Sequence, residues 1–453
     1  MPSFDMAVIG AGPGGFEAAL RARELGFKVA LIDKSDLGGT CLNTGCIPTK
    51  SLLASTKFLT WLKHAGLLGV SAPTLPPWDW GKLIERKNRI VESLKKGMTE
   101  TLKRSGVEWI AGEASFLERN RIQIAGKREI ESQYVVIATG SEPVPFPGAP
   151  FDSERILSST GLLEIKKLPE RLLILGGGVV GVEFASIFQA LGVRVTIVEM
   201  LERLIATEDA EVGRRLESLF QRKGIEVCTG ERVKNLTVQG KGVEGILESG
   251  KKLSAEQVLV AIGRRPRVEN LGLEKTGVKT GKKGIEVNEY LETSVPGIFA
   301  IGDVTTRSTG LAHGAAAEGI RVVENLKGPK RKMNYEGIPN CIYSDPEVAS
   351  TGIYRSGNGA GEDVVECKVL FSSIGKSQVE SETEGFVKMA ASLKTGKIVG
   401  ITGIGAHVTE LIHEAVLAIR AGLDVKTLAE TIHAHPTESE ILQKAAQKLL
   451  QTK

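Results

Sequence analysis

One pattern constrains this chain more than any other, and it occurs twice: an apolar strand, a tight glycine turn, a helix, a second apolar strand and an acid. In the first copy Met6-Ala7-Val8-Ile9 runs into Gly10-Ala11-Gly12-Pro13-Gly14-Gly15, a helix is predicted over 16–25, and the apolar run 28–32 ends in Asp33. In the second, 172–175 enters Gly176-Gly177-Gly178-Val179-Val180-Gly181, a helix follows to 191, and 195–198 ends in Glu199. Glycines at this spacing let a pyrophosphate reach the N–H groups of a helix start, and an acid about 20 residues on holds a ribose hydroxyl. A lone glycine motif is weak evidence, but here the whole strand–turn–helix–strand unit is present in both places. Each copy also has a counterpart strand ending in small residues, Val135-Val136-Ile137-Ala138-Thr139-Gly140-Ser141 for the first and 258–263 for the second. Two copies of one α/β architecture are expected. Glu199 further favours NAD over NADP in the second, because a carboxylate binds two ribose hydroxyls and repels a phosphate.

Between the acid of the first copy and the rest of the chain stands Gly38-Gly39-Thr40-Cys41-Leu42-Asn43-Thr44-Gly45-Cys46-Ile47-Pro48-Thr49-Lys50. Proline is favoured in the first turn of a helix and the residues after it are helix-forming, so both sulfurs lie near a helix N-terminus, where the partial positive charge favours thiolate over thiol. Five residues of ideal helix rise about 7.5 Å, more than a disulfide accepts between Cα atoms, so bonding the two requires a distorted turn. Gly45 supplies the freedom for it. Cys41 and Cys46 read as a pair that opens and closes. The alternatives are a buried structural bridge or half of a zinc site; the latter needs two further ligands, and Cys228, Cys341 and Cys367 are scattered singly.

Composition narrows the setting. At 453 residues, 42% hydrophobic and 25% charged, the chain suits a globular protein of two to four domains. The net charge of +4 comes from Lys and Arg spread along the sequence, which leaves no nucleic-acid footprint. Five cysteines do not make a disulfide framework, so a reducing compartment is expected and the Cys41/Cys46 pair must be a working one. No run of about 18 apolar residues exists, and the first strand begins at once, leaving no room for a targeting peptide. The expectation is a soluble protein, cytoplasmic or already processed, with no membrane contact.

Along the remainder, 57–104 is helical in pattern with a break at Pro73, Pro76 and Pro77, and 107–136 turns to short strands. Pro143, Pro145 and Pro147 mark a linker. A strand Gly297-Ile298-Phe299-Ala300-Ile301-Gly302 presents Asp303, and Leu311-Ala312-His313 follows. Past Asn334 strands and hairpins appear, then helices over 410–421 and 424–431. The fold class is α/β: two Rossmann-like dinucleotide-binding domains plus a C-terminal α+β domain suited to dimerisation. The expected division is 1–147, 148–268, 269–335 completing the first domain, and 336–453.

The last motif is His433-Ala434-His435-Pro436-Thr437-Glu438-Ser439-Glu440. A thiol is mostly protonated at neutral pH, so a dithiol substrate needs a base close by, and imidazole is tuned for that. Glu440 can fix the His435 tautomer as an acid does in a catalytic triad. Pro436 restricts the backbone at His435 and permits a cis bond. An ordinary turn histidine and a His433/His435 metal pair are the rival readings.

Two fingerprints, Cys-x4-Cys after the first, the Ile-Gly-Asp strand and the terminal His-Pro-Thr-x-x-Glu together resemble the flavin-dependent pyridine nucleotide-disulfide oxidoreductases, in particular the branch that oxidises dihydrolipoyl groups. The likeness runs from Met6 to about Gln447. It implies FAD on the first fold, with Gly10, Gly12, Gly14 and Gly15 at its pyrophosphate and Asp33 on its ribose. The loop from Lys34 through Gly39 and Thr40 to Cys41 would line phosphates and flavin, with Lys50 beside the isoalloxazine. Ala114, Thr139, Gly140, Ser141, Leu311, Ala312 and His313 would add contacts, and Asp303 would hold the ribityl or pyrophosphate end. For the second fold it implies NAD on Gly177, Gly178, Val179, Val180 and Gly181, with Glu199 on the adenosine ribose, Glu183 near the nicotinamide, and contacts from Val233, Ala261, Gly263 and Arg264.

The resemblance also assigns Cys46 as the charge-transfer thiolate next to the flavin and Cys41 as the sulfur that exchanges with substrate. His435, paired with Glu440, would act on the disulfide of the other subunit, which implies an obligate homodimer. Electrons would pass from dihydrolipoamide to the disulfide, to FAD and to NAD⁺. The substrate would be lipoyl groups on a separate chain of a 2-oxo acid dehydrogenase or glycine cleavage complex, and no resident metal is expected. Alternatives are a glutathione- or mercuric-reductase-like enzyme and a non-catalytic flavoprotein redox sensor. The sequence departs from the family where Asp33 replaces a usual Glu and where Glu438 replaces an apolar residue. Two further departures are the Gly-rich 356–361, in place of a usual helix, and Ser373-Ile374-Gly375-Lys376, which lacks a usual Arg-Ala pair.

Overall fold

A computed structural model describes residues 1–71, 78–353 and 363–451. The proline break at 73–77 and the Gly-rich 356–361 lie outside the described residues. The chain gathers into two compact units: Met1–Ser51, Ile84–Val144 and Gly263–Tyr335 form one, and Leu52–Leu83, Pro145–Ile262 and Glu336–Lys453 the other.

The first unit is built on a parallel sheet in the order Glu108–Ala111, Val29–Asp33, Ser3–Ile9, Arg128–Ile137, with Ile298–Ala300 also parallel to Arg128–Ile137. Its central strands are continuous apolar runs because both faces are covered: Met6, Ala7, Val8, Leu31, Ile32, Val136 and Ile137 are all buried. The short strands Ala114–Glu118 and Arg121–Ile124 extend it antiparallel, through the stretch where the sequence pattern changes to short strands. Helices Pro13–Glu24 and Ala312–Lys327 pack on each other. They approach closely: a Cβ at Gly14 would lie 2.9 Å from the Ala315 carbonyl oxygen.

In the second unit the parallel order is Glu226–Thr229, Arg194–Glu199, Arg171–Leu175, Gln257–Val260, Ile156–Leu157. A three-stranded antiparallel meander over Val233–Gln239, Gly242–Leu247 and Lys252–Ala255 joins its core. The terminal segment forms an antiparallel sheet ordered Asn340–Ile342, Glu347–Gly352, Ile398–Gly405, Phe386–Ser392, Val364–Leu370. Helices Val408–Ala421 and Glu440–Gln451 bury Ile412, Ala415, Ile441 and Ala445 in the same core as Met389 and Ile401.

Residues 52–83 do not follow a linear division at 147. They cluster with the second unit because their side chains bond there: Lys57 to Glu347 at 3.1 Å, Lys63 to the Ala190 carbonyl at 3.1 Å, and the Trp80 indole to the Ile165 carbonyl at 2.9 Å.

Candidate active site

In the first unit the chain leaves Ser3–Ile9 through Gly10, whose φ of +108° and whose missing Cβ, 2.2 Å from the Ala138 carbonyl oxygen if present, exclude any side chain. A Cβ at Gly15 would sit 1.9 Å from the Gly10 oxygen. At Gly12, by contrast, a Cβ would meet nothing within 4 Å, and no side chain caps helix Pro13–Glu24. Bare helix-start N–H groups thus face open space, which suits an anionic pyrophosphate. Asp33 accepts from Ala11 N at 2.7 Å and from Ser35 N at 2.8 Å, each on a different oxygen, so each oxygen keeps a lone pair for a ribose hydroxyl.

The second unit repeats this nearly atom for atom. Gly176 has φ +106° with its absent Cβ 2.3 Å from the Ala261 oxygen, and Gly181 faces the Gly176 oxygen at 1.9 Å. Gly178 is open and helix Val179–Ala190 has no side-chain cap, with Val179 and Val180 in its first turn. Glu199 accepts from Gly177 N at 2.6 Å and Leu201 N at 2.8 Å. Both cradles fit a dinucleotide by the same test: room in front of an uncapped helix and a carboxylate braced beside it.

Past the acid the two copies diverge. In the first, Gly38 N donates to the Ala11 oxygen at 2.9 Å, and a Cβ at Gly39 would lie 2.7 Å from the Gly12 Cα, so this segment clamps onto the first glycine turn. Helix Gly39–Thr44 carries Thr40 and Cys41, the chain breaks at Gly45, and Cys46 opens helix Cys46–Lys63. A side chain at Gly45 would press within 2.8 Å of the Thr40 oxygen. The distorted turn expected between the sulfurs is present. The Cys41 thiol is pushed up because it donates to the Cys46 sulfur, is largely buried and faces the charge on Cys46, while Lys50 opposes the shift. The Cys41 thiol therefore holds its proton beside the Cys46 sulfur.

A polar chain in the same unit joins three distant segments. Ser141 Oγ donates to Asp303 at 2.6 Å and accepts from Arg264 Nε at 2.7 Å, while Arg264 Nη2 reaches the Ser141 carbonyl at 2.7 Å. Burial lowers the Arg264 pKa, against Asp303 and against Cys46, whose charges favour the guanidinium. Gly263 and Arg264, expected to contact NAD, cluster with the first unit. Strand Arg264–Pro266 pairs antiparallel with Ser141–Pro143, which draws both residues into the first unit. Nearby, Thr139 Oγ1 donates to the Arg267 oxygen at 2.7 Å, and the Gly140 oxygen accepts from Arg267 N at 2.9 Å.

Leu311 precedes helix Ala312–Lys327, with His313 exposed in its first turn. Gly112 N donates to the Asp33 carbonyl at 2.8 Å, which brings the strand start at Ala114 alongside, although the Ala114 side chain is buried. Lys34 is paired with Glu113 at 2.7 Å. In the second unit Glu183 is buried and accepts from Tyr343 N at 3.0 Å, and the Val233 side chain belongs to the core.

Sequence reasoning missed Glu318. Buried on helix Ala312–Lys327, it accepts from Gly302 N at 2.6 Å and from the Tyr335 hydroxyl at 2.8 Å, bracing the short turn that presents Asp303. Burial pushes its carboxyl up. Nothing in Ala315-Ala316-Ala317-Glu318 marks it, since its partners lie 16 and 17 residues away.

In the terminal segment His435 Nδ1 lies 2.9 Å from Glu440 Oε1, and Glu440 Oε2 accepts from Thr437 N at 3.1 Å. The His435–Pro436 bond is cis. His433 is held separately, Nε2 2.9 Å from Glu414 and Nδ1 3.0 Å from the Thr431 carbonyl. The two imidazoles thus form no joint metal pair. Their exposure separates them too, 6% for the His433 side chain against 76% for His435.

Two dinucleotide cradles, one with a dithiol clamped to its glycine turn, define a class: disulfide oxidoreductases that exchange electrons between sulfur and a pyridine nucleotide. Residues 4–319 match the family model described as pyridine nucleotide-disulphide oxidoreductase, and 338–446 match the dimerisation domain of the same family. The chain belongs to this family, and it carries the family's dimerisation module. It is 41% identical to a dihydrolipoyl dehydrogenase of Bacillus subtilis over 97% of both chains, and 38% identical to dihydrolipoyl dehydrogenase 3 of Pseudomonas aeruginosa over 98% of both. Among solved structures, LpdA from Mycobacterium tuberculosis superposes with a TM-score of 0.90 at 28% identity, covering 99% of this chain and 100% of that one. The HOCl-induced flavoprotein disulfide reductase RclA from Escherichia coli gives 0.88 at 28% identity, covering 98% and 99%. Among the described residues no helix is long and apolar enough to cross a membrane.

Proposed function

We propose that this protein is a dihydrolipoyl dehydrogenase: it oxidises the dithiol of dihydrolipoyl groups to the cyclic disulfide and reduces NAD⁺ to NADH, releasing one proton. The observation that carries the reading is the Cys41/Cys46 turn seated on the first glycine cradle, where the Cys41 thiol lies against the Cys46 sulfur. FAD in the first cradle and NAD in the second, when bound, supply the two-electron carriage between sulfur and nicotinamide.

The chain's own residues do the remainder. His435, oriented by Glu440, takes a proton from a substrate thiol, and the thiolate attacks Cys41 of the Cys41–Cys46 disulfide, releasing Cys46 as thiolate. The second substrate sulfur then closes the lipoyl ring and releases Cys41. Arg264 and Lys50 provide positive charge near the sulfurs. Asp33 with Gly10 to Gly15, Ser141 and Asp303 serve FAD; Glu199, Glu183 and Gly177 to Gly181 serve NAD. The FAD-binding domain is drawn from 1–147 and 269–335, apart from 52–83, which cluster with the second unit; 148–268 carry the NAD-binding domain, with 263–268 clustering with the first unit, and 336–453 the interface of a homodimer. The substrate is presented by lipoyl domains of a 2-oxo acid dehydrogenase or glycine cleavage complex in the cytoplasm.

The test compares NAD⁺ reduction by dihydrolipoamide with NADPH oxidation by glutathione disulfide in one preparation. Preference for the second pair overturns the substrate. Cys41→Ser is expected to abolish lipoamide turnover while NADH still reduces the flavin, and retained lipoamide turnover refutes the role of Cys41.

A further inference from the structure

Glu438 is the residue of the His435 loop that the reaction does not use. Only 8% exposed, it accepts from Ser377 Oγ at 2.7 Å on Oε2, while Oε1 is buried with no hydrogen-bond partner. An unmet buried carboxylate oxygen is costly, so its environment needs an explanation. Beside it lie Glu380, at the end of helix Gly375–Glu380, Glu382 two residues on, and His407 at the start of helix Val408–Ala421. One ligand atom from each of these three falls within 4.8 Å of the others. Glu438 is within electrostatic reach of all three, and burial followed by the Glu380 and Glu382 charges pushes its carboxyl up.

The bonds already made leave the inner oxygens available. Glu380 gives Oε1 to Lys376 at 2.6 Å and turns Oε2 toward His407 Nε2 at 4.0 Å. Glu382 gives Oε1 to the Trp61 indole at 2.7 Å. Glu380, Glu382 and His407 thus bring two carboxylates and one imidazole together, and the partnerless buried oxygen of Glu438 belongs to a side chain within electrostatic reach of all three.

We propose that Glu380, Glu382 and His407, with the buried Glu438 carboxylate beside them, form a binding site for a divalent transition-metal ion of the zinc or manganese class. One imidazole nitrogen with carboxylate oxygens is a donor set suited to such ions, not to soft thiolate-seeking metals. Tetrahedral zinc at about 2.0–2.2 Å from each ligand sets its ligand atoms roughly 3.4 Å apart. Glu380 Oε2 and His407 Nε2, at 4.0 Å, stand about half an ångström wider than that. Trp61, bonded to a ligand, is a built-in reporter.

The experiment titrates Zn²⁺ into chelator-treated, oxidised holoenzyme by calorimetry, keeping Cys41 and Cys46 in their disulfide. One ion per chain is expected, with affinity at least tenfold weaker in Glu380→Gln and His407→Ala and a parallel change in tryptophan emission that Trp61→Phe removes. Flavin content and circular dichroism check that each variant is folded. Zinc binding that is undiminished in both variants, absent, or no tighter than millimolar overturns the site. Because the readout is binding and emission, not turnover, its failure is separate from any failure of the proposed reaction.

Discussion

Replacing Glu440 by Gln tests the acid–imidazole pair most sharply. The carboxylate serves two donors at once, His435 Nδ1 at 2.9 Å and Thr437 N at 3.1 Å. The His435 bond and then the Thr437 N–H hold its carboxyl below the usual range, so it is ionised throughout roughly pH 5 to 9. An amide of the same shape offers a single acceptor oxygen. Facing that oxygen to His435 puts an NH₂ against the Thr437 N–H. The flipped amide presents a donor to Nδ1 and drives the ring proton to Nε2, the tautomer that cannot act as a base. Either way one charge-assisted bond is lost, worth about 1.5–3 kcal/mol, or about 10- to 150-fold in rate. Stopped-flow reduction of the holoenzyme flavin by dihydrolipoamide should slow by that factor, while reduction by NADH should be unchanged. An equal drop in both arms, or a dihydrolipoamide arm within twofold of wild type, refutes the assigned geometry.

Two further expectations concern buried charge. Lys388, 11% exposed, pairs with the fully buried Asp209 at 2.8 Å and lies 3.7 Å from Glu366, so Lys388→Met strands buried carboxylates and should cost about 3–5 kcal/mol, seen as a lower urea midpoint of the holoenzyme; a loss under about 1 kcal/mol contradicts this. Glu208, with Oε2 bare, has its carboxyl raised by burial. The native state then keeps a proton that the unfolded chain has lost, so stability is greatest below the unfolded value near pH 4.3 and falls as pH rises through the raised one. Glu208→Gln should therefore gain in melting temperature over wild type from pH 4 to pH 8, and a difference independent of pH would exclude the effect.

What the chain disclosed in sequence is what depends on neighbours along the chain. The glycine turns, the strands into and out of them, the acids at Asp33 and Glu199 and the break at Gly45 are all set by residues within about two dozen positions, and each was legible. What escaped notice is the partner each of several residues answers to, because those partners lie far away. Arg264 is drawn to the first unit by Ser141, 123 residues earlier; Glu183 holds Tyr343, 160 residues later; Lys388 meets Asp209 across 179. Such pairs leave no periodic trace, because a single buried Lys or Glu disturbs a hydrophobic pattern no more than an exposed one does. The meander over 233–255 was missed for another reason: its burial pattern alternates on one face only and carries no turn signal stronger than Gly240 and Gly250.

The duplication shows where the chemistry resides. Gly10 against Ala138 and Gly176 against Ala261 are the same close approach, and Asp33 and Glu199 grip their turns through the same two backbone amides. A nucleotide cradle therefore does not distinguish the halves. The difference begins after the acid. In the first unit the chain turns back through Gly38 and Gly39 onto Ala11 and Gly12 and delivers a cysteine helix there; in the second it passes through Leu201 N to Ile205 N, which donates to the Gly177 oxygen at 2.8 Å and seals that turn with apolar residues. One fold thus carries the dithiol against its glycine turn and the other does not, while both keep open space before an uncapped helix, so it is the segment after the acid that gives the first cradle its sulfur chemistry.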